Sequence, residues 1–285
     1  MKNFANKILF AIILVFSFTA AEKTIILPPP CCKALSADAE SHVCPDRVFA
    51  LFLPQVIPLK SLLLTIEHRG SSPAFDHPFR DFLGLDNGGL KIGLGLRYSP
   101  LEHLDVGFRR ANNVYELWDT YEFDGRYQFL EETAQVVDAA VITGFTWFYQ
   151  YNAPDASGLY LCGIFGKSFL DQFYASTGIM VHSYSTYMYK DSTADASSIA
   201  IPLSFTFSTQ VGLSLNGEMF IPAAGYSAGK AGYAAGVKYA TWHHSFSLLF
   251  SNTPYTTFDG VVTGSHKWDK PILAFLITRR FGGRD

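Results

Sequence analysis

A chain of 285 residues with 25 phenylalanines, 15 tyrosines, 23 glycines and only four methionines favours strands and tight turns over helices. Its 25 acidic residues outnumber 22 lysines and arginines, so the basic surface that nucleic-acid binding needs is absent. The length allows one barrel or sandwich as readily as two domains.

The chain opens on Lys2 and Lys7, an apolar run from Ile8 to Phe16, and the small residues Thr19-Ala20-Ala21. Residues 1–21 therefore read as a signal peptide, cleaved to leave a chain starting near Glu22. The run is shorter than the roughly 20 residues of a spanning helix, and no later stretch reaches that length uninterrupted. Residues 22–60 read as a periplasmic lead-in carrying Pro28-Pro29-Pro30, Cys31, Cys32, Cys44 and prolines at 45, 54 and 58. An exported chain can hold disulfides. The adjacent Cys31 and Cys32 make a poor bridge with each other, so Cys44 paired with either is the simplest arrangement. Without spaced cysteine pairs or a haem-attachment motif, no metal or cofactor is expected. Val48 to Ile57 is apolar enough for a strand, but Pro54 would break its ladder unless it sat at an edge.

From Leu62 onward the pattern has a period of two, the signature of strands with two distinct faces. Twelve segments follow, at 61–69, 89–98, 103–111, 119–130, 135–149, 157–169, 173–188, 199–208, 211–221, 231–241, 243–252 and 271–281. Most reach the roughly 9 to 11 residues that a tilted strand needs to cross a bilayer. Long links at 70–88, 112–118, 150–156, 189–198, 222–230 and 253–270 alternate with short ones such as 99–102 and 170–172. Outer-membrane barrels have this asymmetry, with short periplasmic turns and longer outer loops. The predicted fold is all-β: a transmembrane antiparallel up-and-down barrel of about 12 strands over residues 61–285, with both chain ends in the periplasm.

In the second segment Leu90, Ile92, Leu94, Leu96 and Tyr98 share one face, and Lys91, Gly93, Gly95 and Arg97 the other. In the fourth, Tyr121, Phe123, Tyr127 and Phe129 oppose Glu122, Asp124, Arg126 and Gln128. A soluble barrel has the same alternation turned inside out. Three features favour the membrane version: a barrel of this size encloses more room than aliphatic side chains fill, aromatics gather near segment ends, and the last segment finishes on Phe281. The lumen then gathers Glu67, Arg69, Lys91, Arg97, Asp105, Arg109, Glu122, Asp124, Arg126, Asp138, Glu218, Lys238 and Arg280. Mixed signs suit a pairing network that fills and stiffens the barrel better than a path selective for one charge.

These residues resemble a family of outer-membrane barrels of unknown function common in Bacteroidota. The likeness runs from about residue 60 to the end, through Leu64-Thr65-Ile66-Glu67-His68-Arg69-Gly70, Phe82-Leu83-Gly84-Leu85-Asp86, Leu94-Gly95-Leu96-Arg97-Tyr98, Leu104-Asp105-Val106-Gly107 and Tyr127-Gln128-Phe129-Leu130. It continues in His244-Ser245-Phe246-Ser247-Leu248 with Asn252, and closes on Ile277-Thr278-Arg279-Arg280-Phe281. The resemblance implies a barrel and its location, and supplies no catalytic residue. The cysteine-bearing lead-in and His243, where the family tends to have glycine, are departures.

The sharpest enzymatic hint is His243-x-Ser245, since residues two apart on a strand point the same way and a histidine can activate a serine. Outer-membrane lipid hydrolases resemble this arrangement but place it on the lipid side, whereas the alternation puts this pair in the lumen. His68-Arg69 reads as a strand end rather than an anion site, and His103, His182 and His266 lack ligand spacing. Asp86-Asn87-Gly88-Gly89 reads as a glycine-rich turn rather than a calcium loop, and Trp147, Tyr149 and Tyr151 as an interfacial belt rather than a sugar platform. The expected function is non-enzymatic: a channel, transport component or scaffold. Its expected partners are outer-membrane lipids, the barrel-assembly machinery and an unidentified periplasmic partner. A lipid hydrolase and a soluble periplasmic β protein are the alternatives.

Overall fold

The structure is a computed structural model that describes residues 46–86, 90–113, 118–132, 135–150, 155–169, 172–184, 197–209 and 212–282. Cys31, Cys32 and Cys44, the signal peptide and the first half of the lead-in lie outside the described residues. The elements are β1 (Ser61–Gly70), β2 (Leu90–Leu101), β3 (Leu104–Asn113), β4 (Trp118–Leu130), β5 (Asp138–Gln150), β6 (Ala156–Phe169), β7 (Phe173–His182), β8 (Ser198–Ser208), β9 (Leu213–Gly225), β10 (Gly232–Ala240), β11 (His244–Ser251), the short helix α1 (Phe258–Val261) and β12 (Ile272–Gly282).

Each strand pairs antiparallel with its neighbours in sequence, and β1 closes on β12 with Leu62 opposite Phe281 and Arg69 opposite Ala274. Closure removes the open edge that would otherwise expose unpaired backbone groups to lipid. Strand ends differ most at the seventh segment, where β7 stops at His182 and the chain turns. The alternation of link lengths is softer than the sequence pattern indicates. The link at 131–137, on the short-turn end, is longer than 114–117 or 151–155 on the other.

The two faces separate as the period of two requires. Ile92, Leu94, Leu96 and Tyr98 on β2, Phe123, Tyr127 and Phe129 on β4, Leu203, Phe205 and Phe207 on β8, and Phe246 and Leu248 on β11 all stand exposed on the outside. Aromatic ladders run across this surface, as in Phe108, Phe123 and Phe145, tilted and then stacked at centroid spacings of 5.0 and 4.9 Å. Such an apolar belt is a liability in water and the ordinary outer surface of a barrel in lipid.

The interior corrects two expectations. The described part of the lead-in does not sit in the periplasm: Asp46 to Gln55 and Ile57 are buried or nearly so, inside the barrel. Nor is the inward face polar throughout, because β5 to β9 turn Ala140, Ile142, Tyr160, Cys162, Ile164, Met180, Ala200 and Phe220 inward. The two departures have one cause. Eight strands enclose just the space that side chains can fill, and 12 enclose more. Here the surplus is taken up by chain: Ala50, Leu51 and Phe52 from the lead-in, and Phe258, Val261 and Val262 from the link between β11 and β12, pack on that apolar wall. Pro54, which forbids a regular ladder, packs near Gly166 of β6 instead of edging a strand.

Candidate functional site

All thirteen ionisable side chains named for the lumen point inward and are buried. Charges removed from water persist only when paired and hydrogen-bonded, and on the β1–β4 wall the pairing is dense. Glu67 accepts from Arg69 at 2.7 Å and from Arg109 at 2.8 Å. Arg97 donates to Asp105 and Asp124 at 2.6 Å each and to Asp46 at 3.0 Å, while Arg126 grips Asp105. Gly107 lies between Arg97 and Asp124 in the ladder, and a Cβ there would run into the guanidinium. Glycine at that position is what lets the pair meet across β3.

Residues 46–58 form an irregular hairpin held by this wall. Val48 N donates to Leu51 O at 2.8 Å and Leu53 N to Asp46 O at 3.0 Å, which closes the turn. The turn's free amides are then met by one carboxylate: Glu218 of β9 accepts from Phe49, Ala50 and Leu51 N–H at 2.9 to 3.1 Å. Arg126 donates to the carbonyls of Asp46 and Leu53, and Lys238 to that of Val48 at 3.0 Å. Nearer the short-link end, Gln55 donates to Asp138 and to the Tyr174 hydroxyl, and Ile57 N to Asp105. Burial alone would raise the Asp46 carboxyl, yet Arg97 and Arg47 hold it well below the usual carboxylate range.

The link between β11 and β12 folds in from the other end. Arg69 donates to Thr253 O at 2.9 Å, Lys91 lies 4.7 Å from the centre of the Tyr255 ring, and Phe258 stacks on Tyr160 at 4.2 Å. Burial pushes the Asp259 carboxyl on α1 up to about 7, and the charge of Glu122 adds to the effect. The two inserted segments meet at Glu122 of β4. One carboxylate oxygen takes the Arg47 guanidinium at 2.5 Å, and the other takes Phe258 N–H at 3.0 Å. With Phe52 under the Arg47 guanidinium at 3.8 Å, packed protein occupies the middle of the barrel.

The histidine and serine of the hydrolase reading come apart: His243 lies on the exposed turn against Trp242, and Ser245 is buried opposite Thr278. His68 and Arg69 point to opposite faces, His68 stacking on Phe275 at 4.7 Å outside and Arg69 meeting Glu67 inside. His182 is interior, 2.7 Å from Thr146 Oγ1, with Tyr184 N–H donating to its Nδ1. His103 lies at the surface beside Glu131, and His266 is exposed. Cys162 is a free thiol in the apolar cluster. Tyr149 stands outward beside Trp147, while Tyr151 and Asn87-Gly88-Gly89 lie outside the described residues. Among the described residues no cluster of three or more His, Cys, Asp or Glu is arranged to hold a metal.

Residues 55–281 match the family model described as a membrane bound beta barrel domain (DUF5777). The chain belongs to this family. Membership decides what the alternation left open: the apolar belt of this DUF5777 barrel faces the membrane and the soluble alternative falls. The hairpin turn at 46–54 lies just ahead of the matched span. No curated protein matches the chain. Among solved structures, a KdgM porin aligns at 8% identity over 79% of this chain and 99% of its own, with a TM-score of 0.46. An outer membrane channel from Pseudomonas putida F1 aligns at 11% over 80% and 97%, with a TM-score of 0.47. A Pseudomonas aeruginosa FadL homologue aligns at 10% over 79% and 90%, with a TM-score of 0.34.

Sequence reasoning missed Asp46, Arg47, Gln55, Tyr160 and Asp259 as interior groups of the DUF5777 barrel. The signal the sequence carries is Asp46-Arg47 standing directly before the short apolar run Val48 to Leu53.

Proposed function

We propose that this protein is a non-enzymatic barrel of the outer membrane whose resting state is closed to solutes, with the lumen serving rigidity and plug retention rather than passage. The observation that carries this reading is Glu122, whose two oxygens hold the N-terminal hairpin and the β11–β12 link at once. An open channel keeps interior charges wetted; here they are spent on one another and on the inserted backbone. The link lengths, longest at 71–89, 183–197 and 252–271, support a hairpin entrance on the periplasmic side and a β11–β12 link outside. Strand β12, ending near Phe281, is the segment that barrel-assembly machinery reads, and outer-membrane lipids cover the belt. If any solute crosses, both inserted segments must move.

Planar-bilayer recording of the mature chain tests this. The closed reading expects membranes that stay silent while the same sample shows the heat-modifiable gel shift of a folded barrel. Steady conductance steps from the unmodified protein would overturn it.

A further inference from the structure

The long link after β1 is firmly built yet leaves three phenylalanines largely exposed. Residues 71–86 are tied to the rim by Ala74 N–H to Pro271 O at 2.8 Å and by Lys270 to Asp76 at 3.0 Å. Internally, Asp81 accepts from Gly84 N–H at 3.0 Å through its side chain, and Ser72 Oγ donates to Gly84 O at 3.3 Å. On this frame Phe75 is 61% exposed, Phe82 65%, and Phe79 wholly so. They stand four and three residues apart along a run of turns, with His77 and Arg80 between them. The backbone is strained to do this. Phe82, Leu83 and Gly84 take φ of 41°, 60° and 85°, a left-handed run that bulky residues avoid unless their surroundings impose it.

A chain that spends strain on displaying phenylalanine to water needs something to receive it. The occupant is indicated by what Phe75 already touches. Its ring stacks at 5.3 Å on Phe250, which stands on the outward face of β11 with Phe246 and Leu248. The loop is therefore folded outward over the rim, and its aromatic side continues the belt that faces lipid. The neighbouring link extends the same collar: Trp268, half-exposed, packs on outward-facing Tyr233 at 5.1 Å, and the Tyr233 hydroxyl donates to Trp268 O. Aromatic rings with polar neighbours settle at the boundary between headgroups and acyl chains.

We infer that residues 71–86 form a membrane-interface anchor, in which Phe75, Phe79 and Phe82 insert into the leaflet at the long-link end and fix the depth of the barrel. The inference rests on the membrane-bound fold and is independent of whether the lumen conducts.

The test places tryptophan at the tips, Phe79→Trp and separately Phe82→Trp, in the mature chain folded into phosphatidylcholine vesicles. The gel shift of the folded barrel confirms that each variant is intact. Emission is read as the difference from the parent, which has four tryptophans of its own. The anchor expects blue-shifted difference emission, quenching by lipids brominated high on the acyl chain, and poor quenching by acrylamide supplied on both sides of the vesicle. Water-like emission that acrylamide quenches and brominated lipid does not would overturn it. Protection from both quenchers would overturn it too, because it would mean that protein, and not lipid, covers the face.

Discussion

Glu122 carries more of the interior than its neighbours because its partners come from different directions. Arg47 arrives from the hairpin, Phe258 N–H from α1, and the Tyr160 hydroxyl donates from β6 at 3.4 Å. Replacing it with leucine would leave the buried Arg47 guanidinium the Phe52 ring, the Ala50 carbonyl at 3.5 Å and longer ionic contacts to Asp46 and Asp124 at 3.8 and 3.9 Å, and would strand one backbone donor. Breaking a buried pair from one side costs roughly 3 to 5 kcal/mol, far more than the pair contributes against an apolar replacement of both members. Glu122→Leu is therefore expected to destabilise the folded barrel by about 3 kcal/mol, read as a lower urea midpoint in detergent, with the strand wall still formed. Its sharper mark is coupling. Amide exchange should rise together in residues 48–53 and 256–262, on opposite sides of Glu122. A rise in one segment alone would show that the two are held independently.

At the scale of elements, strands and plugs differ in how far the sequence exposes them. The strands were legible because lipid on one side and protein on the other impose a period of two that survives within each segment, as in Leu94, Leu96 and Tyr98 against Gly95 and Arg97. The signal fades on β5 to β7, where Ile142, Cys162 and Met180 face inward and both faces turn apolar. The hairpin was illegible for a different reason. What holds it is separated by sequence distances that no local pattern reports: Glu218 lies 168 residues beyond Ala50, and Asp138 lies 83 beyond Gln55. A run with Pro54 in it looks like a spoiled strand until the barrel around it supplies the missing acceptors. The thirteen interior charges were nameable from alternation, but not that they would be consumed by an inserted segment. Because Glu218 alone receives three consecutive amides, Glu218→Ala should speed exchange of Phe49, Ala50 and Leu51 amides by at least about tenfold. The exchange of β9 itself should stay unchanged. Unaltered protection at those three amides would mean that Arg126 and Lys238 suffice to hold the turn.

For the whole molecule, the closed reading makes the two inserted segments barriers in series. The hairpin reaches side chains on β3, β4, β5, β7, β9 and β10, through Asp105, Gln128, Asp138, Tyr174, Glu218 and Lys238. The β11–β12 link reaches β1, β2, β3, β4 and β6, through Arg69, Lys91, Arg109, Glu122 and Tyr160. On that reading, withdrawing either leaves the other across the path, and conductance is not a sum of two partial openings. The barrel wall needs neither segment for its backbone bonds, since every strand is satisfied by its two neighbours and β1 closes on β12. Three deletions separate the possibilities: residues 46–58, a shortened link lacking 254–264, and both together. The single deletions are expected to insert and give the folded gel shift while remaining electrically quiet. The double deletion should conduct, with a preference set by the unmatched charges left on β1 to β4. If removing the hairpin alone gives the full conductance of the double deletion, the outer link is no barrier, and control of the lumen rests with the N-terminal segment.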